Sequence, residues 1–196
     1  MRGQWLVVSI AVSALFISAR AETRQPIDTD RSTITIRVGR SGMFRALGDD
    51  HEIRASIARG FVDEDARAVE AIVDARQLKV IDPGASASDR AQVQARMLGP
   101  DVLDASRFSQ IRFTSNTAER TQSGWLVRGE LTLHGQTRQV MATIISQEGH
   151  YRGSARLKQT DFGITPIAIA GGAVRVKNEV TVDFDIVTLF GRATER

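Results

Sequence analysis

Residues 174–187 read VRVKNEVTVDFDIV, and Val174, Val176, Val180, Val182, Phe184 and Ile186 all fall on one parity. Arg175, Lys177, Glu179, Thr181, Asp183 and Asp185 occupy the other. Side chains of an extended strand point alternately to its two faces, so the pattern describes a long antiparallel strand with one dry and one wet face. A helix would scatter the same apolar residues around its axis. The strand also exceeds the usual length of about five or six residues, which favours a barrel or a strongly coiled sheet over a small flat one. Asn178 interrupts the dry face. Its amide needs a partner, either in the core or on a ligand, because burying it unpaired costs about 1 to 3 kcal/mol.

The same period of two recurs upstream. It runs through residues 32–38 (Ile34, Ile36, Val38), 51–62 (Ile53, Ala55, Ile57), 68–75 (Val69, Ala71, Val73), 109–115 (Ile111, Phe113), 125–133 (Val127, Gly129, Leu131, Leu133), 136–145 and 151–158 (Gly153, Ala155, Leu157). His134 and Gly135 make a tight turn between two of these strands. Several dry-face positions are Gly or Ala, and an eight-stranded barrel with small inward residues keeps room for a ligand. Two stretches depart from the pattern. Met43, Phe44 and Leu47 stand three and four apart ahead of Gly48, which predicts one or two helical turns laid over one end of the sheet. Between Leu78 and Phe108, Ser86 or Ser88 can cap a helix running through Asp89, Arg90, Val93 and Met97 to Leu98, closed by Gly99 and followed by Pro100 at the start of a second turn. The expected fold is all-β: an eight-stranded antiparallel, lipocalin-like barrel with a short helical insert.

The 196 residues suit one domain, and the absence of cysteine removes disulfides, thiolate metal sites and a Cys nucleophile. Behind Arg2, the apolar run of residues 5–19 ends in Ala19, Arg20 and Ala21, the small-x-small form that a signal peptidase accepts. The run is shorter than the roughly 20 residues that span a bilayer. Residues 1–21 therefore read as a signal peptide cleaved after Ala21, residues 22–192 as the barrel domain, and the destination as periplasmic or secreted. Cleavage removes Arg2 and Arg20 and no acids, taking the 26 basic residues to 24 against 23 acidic ones. A nearly neutral domain lacks the clustered basic face that nucleic acid wants.

Chemistry finds little purchase. The three histidines, His51, His134 and His150, share no metal-ligand spacing, and no nucleophile elbow or phosphate-cradling loop is present. His134 and His150 read as exposed loop residues. His51 has company in Asp49, Asp50 and Glu52, but neighbouring strand residues point to opposite faces and do not all converge on one ion. Asp161 reads as the residue that fixes the turn before Phe162, with general acid as the alternative. Neither catalysis, nor a metal, nor a cofactor is expected.

The block Gly129, Glu130, Leu131, Thr132, Leu133, His134, Gly135, Gln136, Thr137, Arg138 resembles the G-x-L-T-x-x-G-x-T-[RK] hairpin of the YceI-like proteins, the polyisoprenoid-binding, lipocalin-like family. Asp161, Phe162, Gly163 and Ile164 resemble that family's D-F-G motif, and the closing strand after Gly172 is similar to its last strand. The insert, from Arg90 to Ser115, sits where the family carries its own helix before an x-F-x-S strand. The likeness spans roughly residues 28–187. Two departures stand out: the family's R-D-x-H-L-x-S segment has no histidine here, and Gly48, Asp49, Asp50, His51 replaces a Gly-His-x-His tract.

The resemblance implies a soluble periplasmic barrel around an apolar tunnel for a polyisoprenoid, quinone-like or fatty lipid chain. Phe44, Leu47, Met97, Phe113, Trp125, Phe162, Ile164 and Ile169 are the expected lining, with Asn178 as the polar contact. Transient contact with a membrane surface and a homodimer are compatible with such a carrier. Two other classes of function remain open: an interaction module with a filled barrel that binds a protein partner, and an enzyme using Asp161 or His51 on a bound lipid.

Overall fold

The computed structural model describes residues 24–41, 50–169 and 174–189. The expected signal segment with its cleavage after Ala21, and the expected turns carrying Phe44 and Leu47, lie outside the described residues, as does the side chain of Ile169. Twelve strands make one sheet: β1 Arg24–Pro26, β2 Thr33–Ser41, β3 His51–Ala55, β4 Ile57–Asp63, β5 Ala68–Asp74, β6 Lys79–Val80, β7 Gln110–Arg120, β8 Trp125–Leu133, β9 Gln136–Gln147, β10 His150–Lys158, β11 Ala168–Ile169 and β12 Val174–Val187. One α-helix, α1 Ala87–Leu98, completes the described regular structure with short 3-10 turns at Ala75–Gln77 and Gln159–Phe162.

All-β architecture with antiparallel pairing and a short helix is as expected; the described residues form twelve strands where eight were expected. The difference has local causes. The expected second strand breaks at Ser56 into β3, which pairs with β2, and β4, which pairs with β1. The first strand is parted from a short predecessor by a turn in which the Asp28 carboxylate accepts the Asp30 and Arg31 N–H groups, each at 3.2 Å. β6 and β11 are two-residue strands, too short to show any alternation.

The sheet order is β1-β4-β5-β7-β8-β9-β10-β12-β2-β3-β6, with β11 on β12. β12 bonds β10 along one edge and β2 along the other, and β3 beyond β2 runs through Ser56 into β4 at the far end of the order. Ile27, just past β1, also bridges Thr188, just past β12. The sheet is thus strongly curled. Registers place the apolar parity on one face throughout: Phe184 lies opposite Ile34 and Gly153, Val182 opposite Ile36 and Ala155, and Ala71 opposite Phe113. This is the concave, inner face.

One part of that face is tightly packed. Ser86 caps α1 by accepting the Asp89 N–H at 3.1 Å. Gln94 ties the helix to β6, its Oε1 accepting the Val80 N–H and its Nε2 donating to the Leu78 carbonyl, both at 2.8 Å. Met97, Leu103, Ala105, Leu78, Val80, Phe162 and Ile164 then join one buried cluster.

Candidate functional site

Elsewhere the inner face is covered less completely, although Val127, Ala142 and Tyr151 on it are buried and Leu131, Val140, Ile144 and Leu157 pack against the buried cluster. Phe113 on β7, Trp125 and Leu131 on β8, Val140 and Ile144 on β9, Leu157 on β10, and Val182 and Phe184 on β12 are only half-buried. Two rings lie along the wall instead of filling the space in front of it. A side chain at Gly129 would meet the Phe113 ring at 2.6 Å, and one at Gly153 would meet the Phe184 ring at 2.8 Å. Each Phe therefore rests on the bare backbone of the neighbouring strand, and the glycines are what permit it.

The expected lining divides accordingly. Met97, Phe162 and Ile164 sit together in the packed cluster, with Phe162 only 1% exposed. Phe113 and Trp125 stand apart on the open wall, Trp125 opposite Ile144 and 5.5 Å below the Arg120 guanidinium. Asn178 occurs where the β12–β2 register slips between Val176 and Val180. Its Oδ1 accepts the Thr160 N–H at 3.0 Å and its Nδ2 donates to Thr160 Oγ1 at 2.9 Å, which pins the 3-10 turn before Phe162. Phe184, Val182 and Leu131 were absent from the expected lining. Their parity announced an inward direction, but nothing in a single strand's pattern says whether an inward side chain is covered.

The histidines differ from expectation. His134 is half-buried, because positive φ at both His134 and Gly135 turns its ring edge-on to Phe108 at 4.8 Å and brings Nδ1 within 3.1 Å of the Phe162 carbonyl. The hairpin motif and the D-F-G motif are thereby joined. His150 is half-buried beside Asp185, at 3.0 Å. His51 lies on the inner parity opposite Val38 and contacts Asp82 at 2.7 Å, while the other Asp82 oxygen accepts the Glu52 N–H at 2.7 Å. These three histidines occupy three separate places, and among the described residues no three His, Asp or Glu side chains gather as a metal site. Asp161 is exposed.

Besides the exposed ion pair of Asp74 and Arg76, whose hydrogen bonds lower the pKa of the acid and raise that of the base, Tyr151 and Asp185 are displaced from their ordinary behaviour. Burial, reinforced by the hydrogen bond it donates to Glu64 at 2.6 Å, pushes the Tyr151 hydroxyl well above the usual range, so it stays protonated. At Asp185 burial pushes upward, but hydrogen bonds from Arg152 and His150 outweigh it and hold the carboxyl below its ordinary value.

A family model described as YceI-like domain matches residues 26–188. A UPF0312 protein of Vibrio cholerae serotype O1 is 32% identical over 107 residues, which cover 49% of this chain and 55% of that protein. The chain thus spans about half the length of the curated relatives it matches. Among solved structures, Burkholderia cenocepacia BcnA aligns with a TM-score of 0.58 at 18% identity, over 82% of this chain and 98% of that one. A Campylobacter jejuni YCEI protein aligns over 96% and 98% at 11% identity, with a TM-score of 0.47. At 18% identity, the likeness to BcnA is one of fold.

Proposed function

The chain belongs to the YceI-like family, and from that premise we propose that it is a periplasmic carrier of an apolar, chain-like ligand, a polyisoprenoid, quinone-like or fatty lipid, held along its inner wall. We infer that the curl completes a barrel: β12 leads through β2 and β3 into β4 along the chain, and the Ile27–Thr188 bridge draws the two margins together at one end.

The observation that carries this function is the open wall. Phe113 and Phe184 are large enough to fill a narrow barrel, yet each lies against a glycine and stays only partly covered. Apolar surface that folding leaves uncovered favours burial by a ligand, at about 0.8 kcal/mol per CH2. A chain with roughly ten to fifteen buried carbons would reach micromolar affinity after association costs of several kcal/mol. Small-molecule sites are mainly apolar with a few polar groups, and barrel mouths are favoured places for them.

Native mass spectrometry of freshly purified protein, with organic extraction of whatever dissociates, tests the proposal. An added mass that extracts as a lipid is expected. Val182→Trp, which fills the wall between Ala155 and Ile36, is expected to abolish that mass. A wild-type protein that carries no lipid and takes up neither isoprenoid nor fatty chains overturns the proposal.

A further inference from the structure

β9 and β10 part company at one end. Their ladder runs from His150 opposite Gln147 to Ala155 opposite Ala142 and then stops. β9 nevertheless continues on β8 as far as Gln136 opposite Leu133, and β10 continues on β12 as far as Lys158 opposite Glu179. Residues 138–141 and 156–158 thus flank a fork without the ladder between them. A cavity of about 550 Å³ occupies it. Val140, Ala155 and Leu157, from the inner parity, share its lining with Met141, Arg156 and Lys158, from the outer. Lining from both faces of the same two strands places a gap in the wall at this point, with Asp161 and the buried Phe162 of the 3-10 turn against it as well.

The opening is cationic. Arg138 breaks the apolar parity of β9, opposite Leu131, and its guanidinium donates only to neutral oxygens, the Thr137 carbonyl at 2.8 Å and Gln136 Oε1 at 3.2 Å. Arg156 and Lys158 are exposed, and among the described residues no ion pair engages them. Two carboxylates, Asp161 and Glu179, share the lining with these three cations, which leaves one net positive charge.

We propose that this fork is a side entrance and head-group subsite for a single-chain amphiphile with an anionic head, carboxylate or phosphate. Arg156 and Lys158, together on the outer parity of β10, receive the head, Arg being suited to bidentate contact with either anion, while Arg138 marks the inner side of the gap. The tail passes Val140 and Leu157 to reach the open wall. An added peptide strand fits less well: strand addition works through a free run of main-chain hydrogen bonds, and the 3-10 turn Gln159–Phe162 already packs on β9 beside the fork. The inference rests on the carrier function and narrows it.

Calorimetric titration of the full chain with decyl phosphate, decanol and inorganic phosphate tests it. Decyl phosphate is expected to bind at least about tenfold more tightly than decanol, the worth of one charge-assisted contact. The double variant Arg156→Gln, Lys158→Gln is expected to bring that ratio close to one, and Glu179→Gln to raise it. A wild-type ratio near one, a ratio that survives in the double variant, or displacement of decyl phosphate by an equal concentration of inorganic phosphate overturns the subsite. If decanol binds without discrimination, only the subsite falls. If neither chain binds, the carrier function falls with it.

Discussion

The packed quarter beside α1 and the open wall of β7–β10 and β12 are made from the same kind of residue on the same parity, yet they end in different states. Phe162 is 1% exposed within a cluster of Met97, Leu103 and Ile164, whereas Phe113 and Phe184 face the same interior only partly covered. The insert supplies the difference. α1 packs on β6 and the 3-10 turn Gln159–Phe162 on β9, β10 and β12, whereas Phe113 and Phe184 lie outside the buried cluster and the side chains packed against it. A curled sheet becomes a core only where another element is laid on it. Elsewhere its inner face is a surface.

The strongest challenge to that contrast is a pair of equal truncations. Phe162→Ala should cost about 3 to 5 kcal/mol, the usual range for a buried aromatic that leaves a cavity, and lower Tm by roughly 6 to 20 °C. Phe184→Ala removes a ring that is only partly covered, so a smaller loss of about 1 to 2 kcal/mol is expected. Urea unfolding of both variants compares them directly. Equal losses would mean that the wall is as well packed as the insert and that the interior is full.

A smaller effect sharpens the boundary between the two regions. Asn178 and Thr160 hold the 3-10 turn that delivers Phe162 into the packed cluster. Asn178→Ala should cost about 1 to 2 kcal/mol, because it removes two hydrogen bonds from a half-buried site. Its signature is regional: amide exchange should accelerate around residues 159–164 more than in β8. Uniform acceleration would deny the turn any independent role in seating Phe162.

Much of this was legible from alternation alone. The period of two assigned the inner face of most long strands, though the bulge between Ile57 and Arg59 turns Gly60 and Val62 of β4 inward. Of the two candidate caps, Ser86 and Ser88, Ser86 starts α1. What escaped was non-local. Ser56 stands on the polar parity of an alternation that continues on both sides of it, so the break there leaves no mark in the pattern; it is set by the different pairing partners of β3 and β4. His51 finds Asp82 thirty-one positions away, and Asn178 finds Thr160 eighteen away. The exposed-loop expectation failed for His134 because the positive φ of its turn sets where the ring goes, and Phe108 and Phe162 arrive from other segments. Parity states which way a side chain points. Whether anything meets it there depends on the whole fold, so the open wall and the fork could not be found strand by strand.

The smallest expected effect lies on the outer face of the same open wall, at Asp185 of β12. Its carboxylate receives Arg152 Nε at 2.8 Å and contacts His150 Nδ1 at 3.0 Å. Burial works against the charge, but these bonds prevail and keep the folded pKa below the ordinary 3.8. A carboxylate with a depressed folded pKa stabilises fully above its unfolded pKa, near 3.9, and loses that contribution as pH falls through the folded value. The Asp185→Asn variant should therefore differ from the wild type by a constant amount at pH 5 and above, less than about 1 kcal/mol for so exposed a group. Below about pH 4 the two should converge as the wild-type carboxyl takes up its proton. Urea unfolding of both proteins at pH 7, 5 and 3 reads this directly. A gap as wide at pH 3 as at pH 5 would show that Asp185 serves through shape and neutral hydrogen bonding, with its charge irrelevant to how β10 is held against β12.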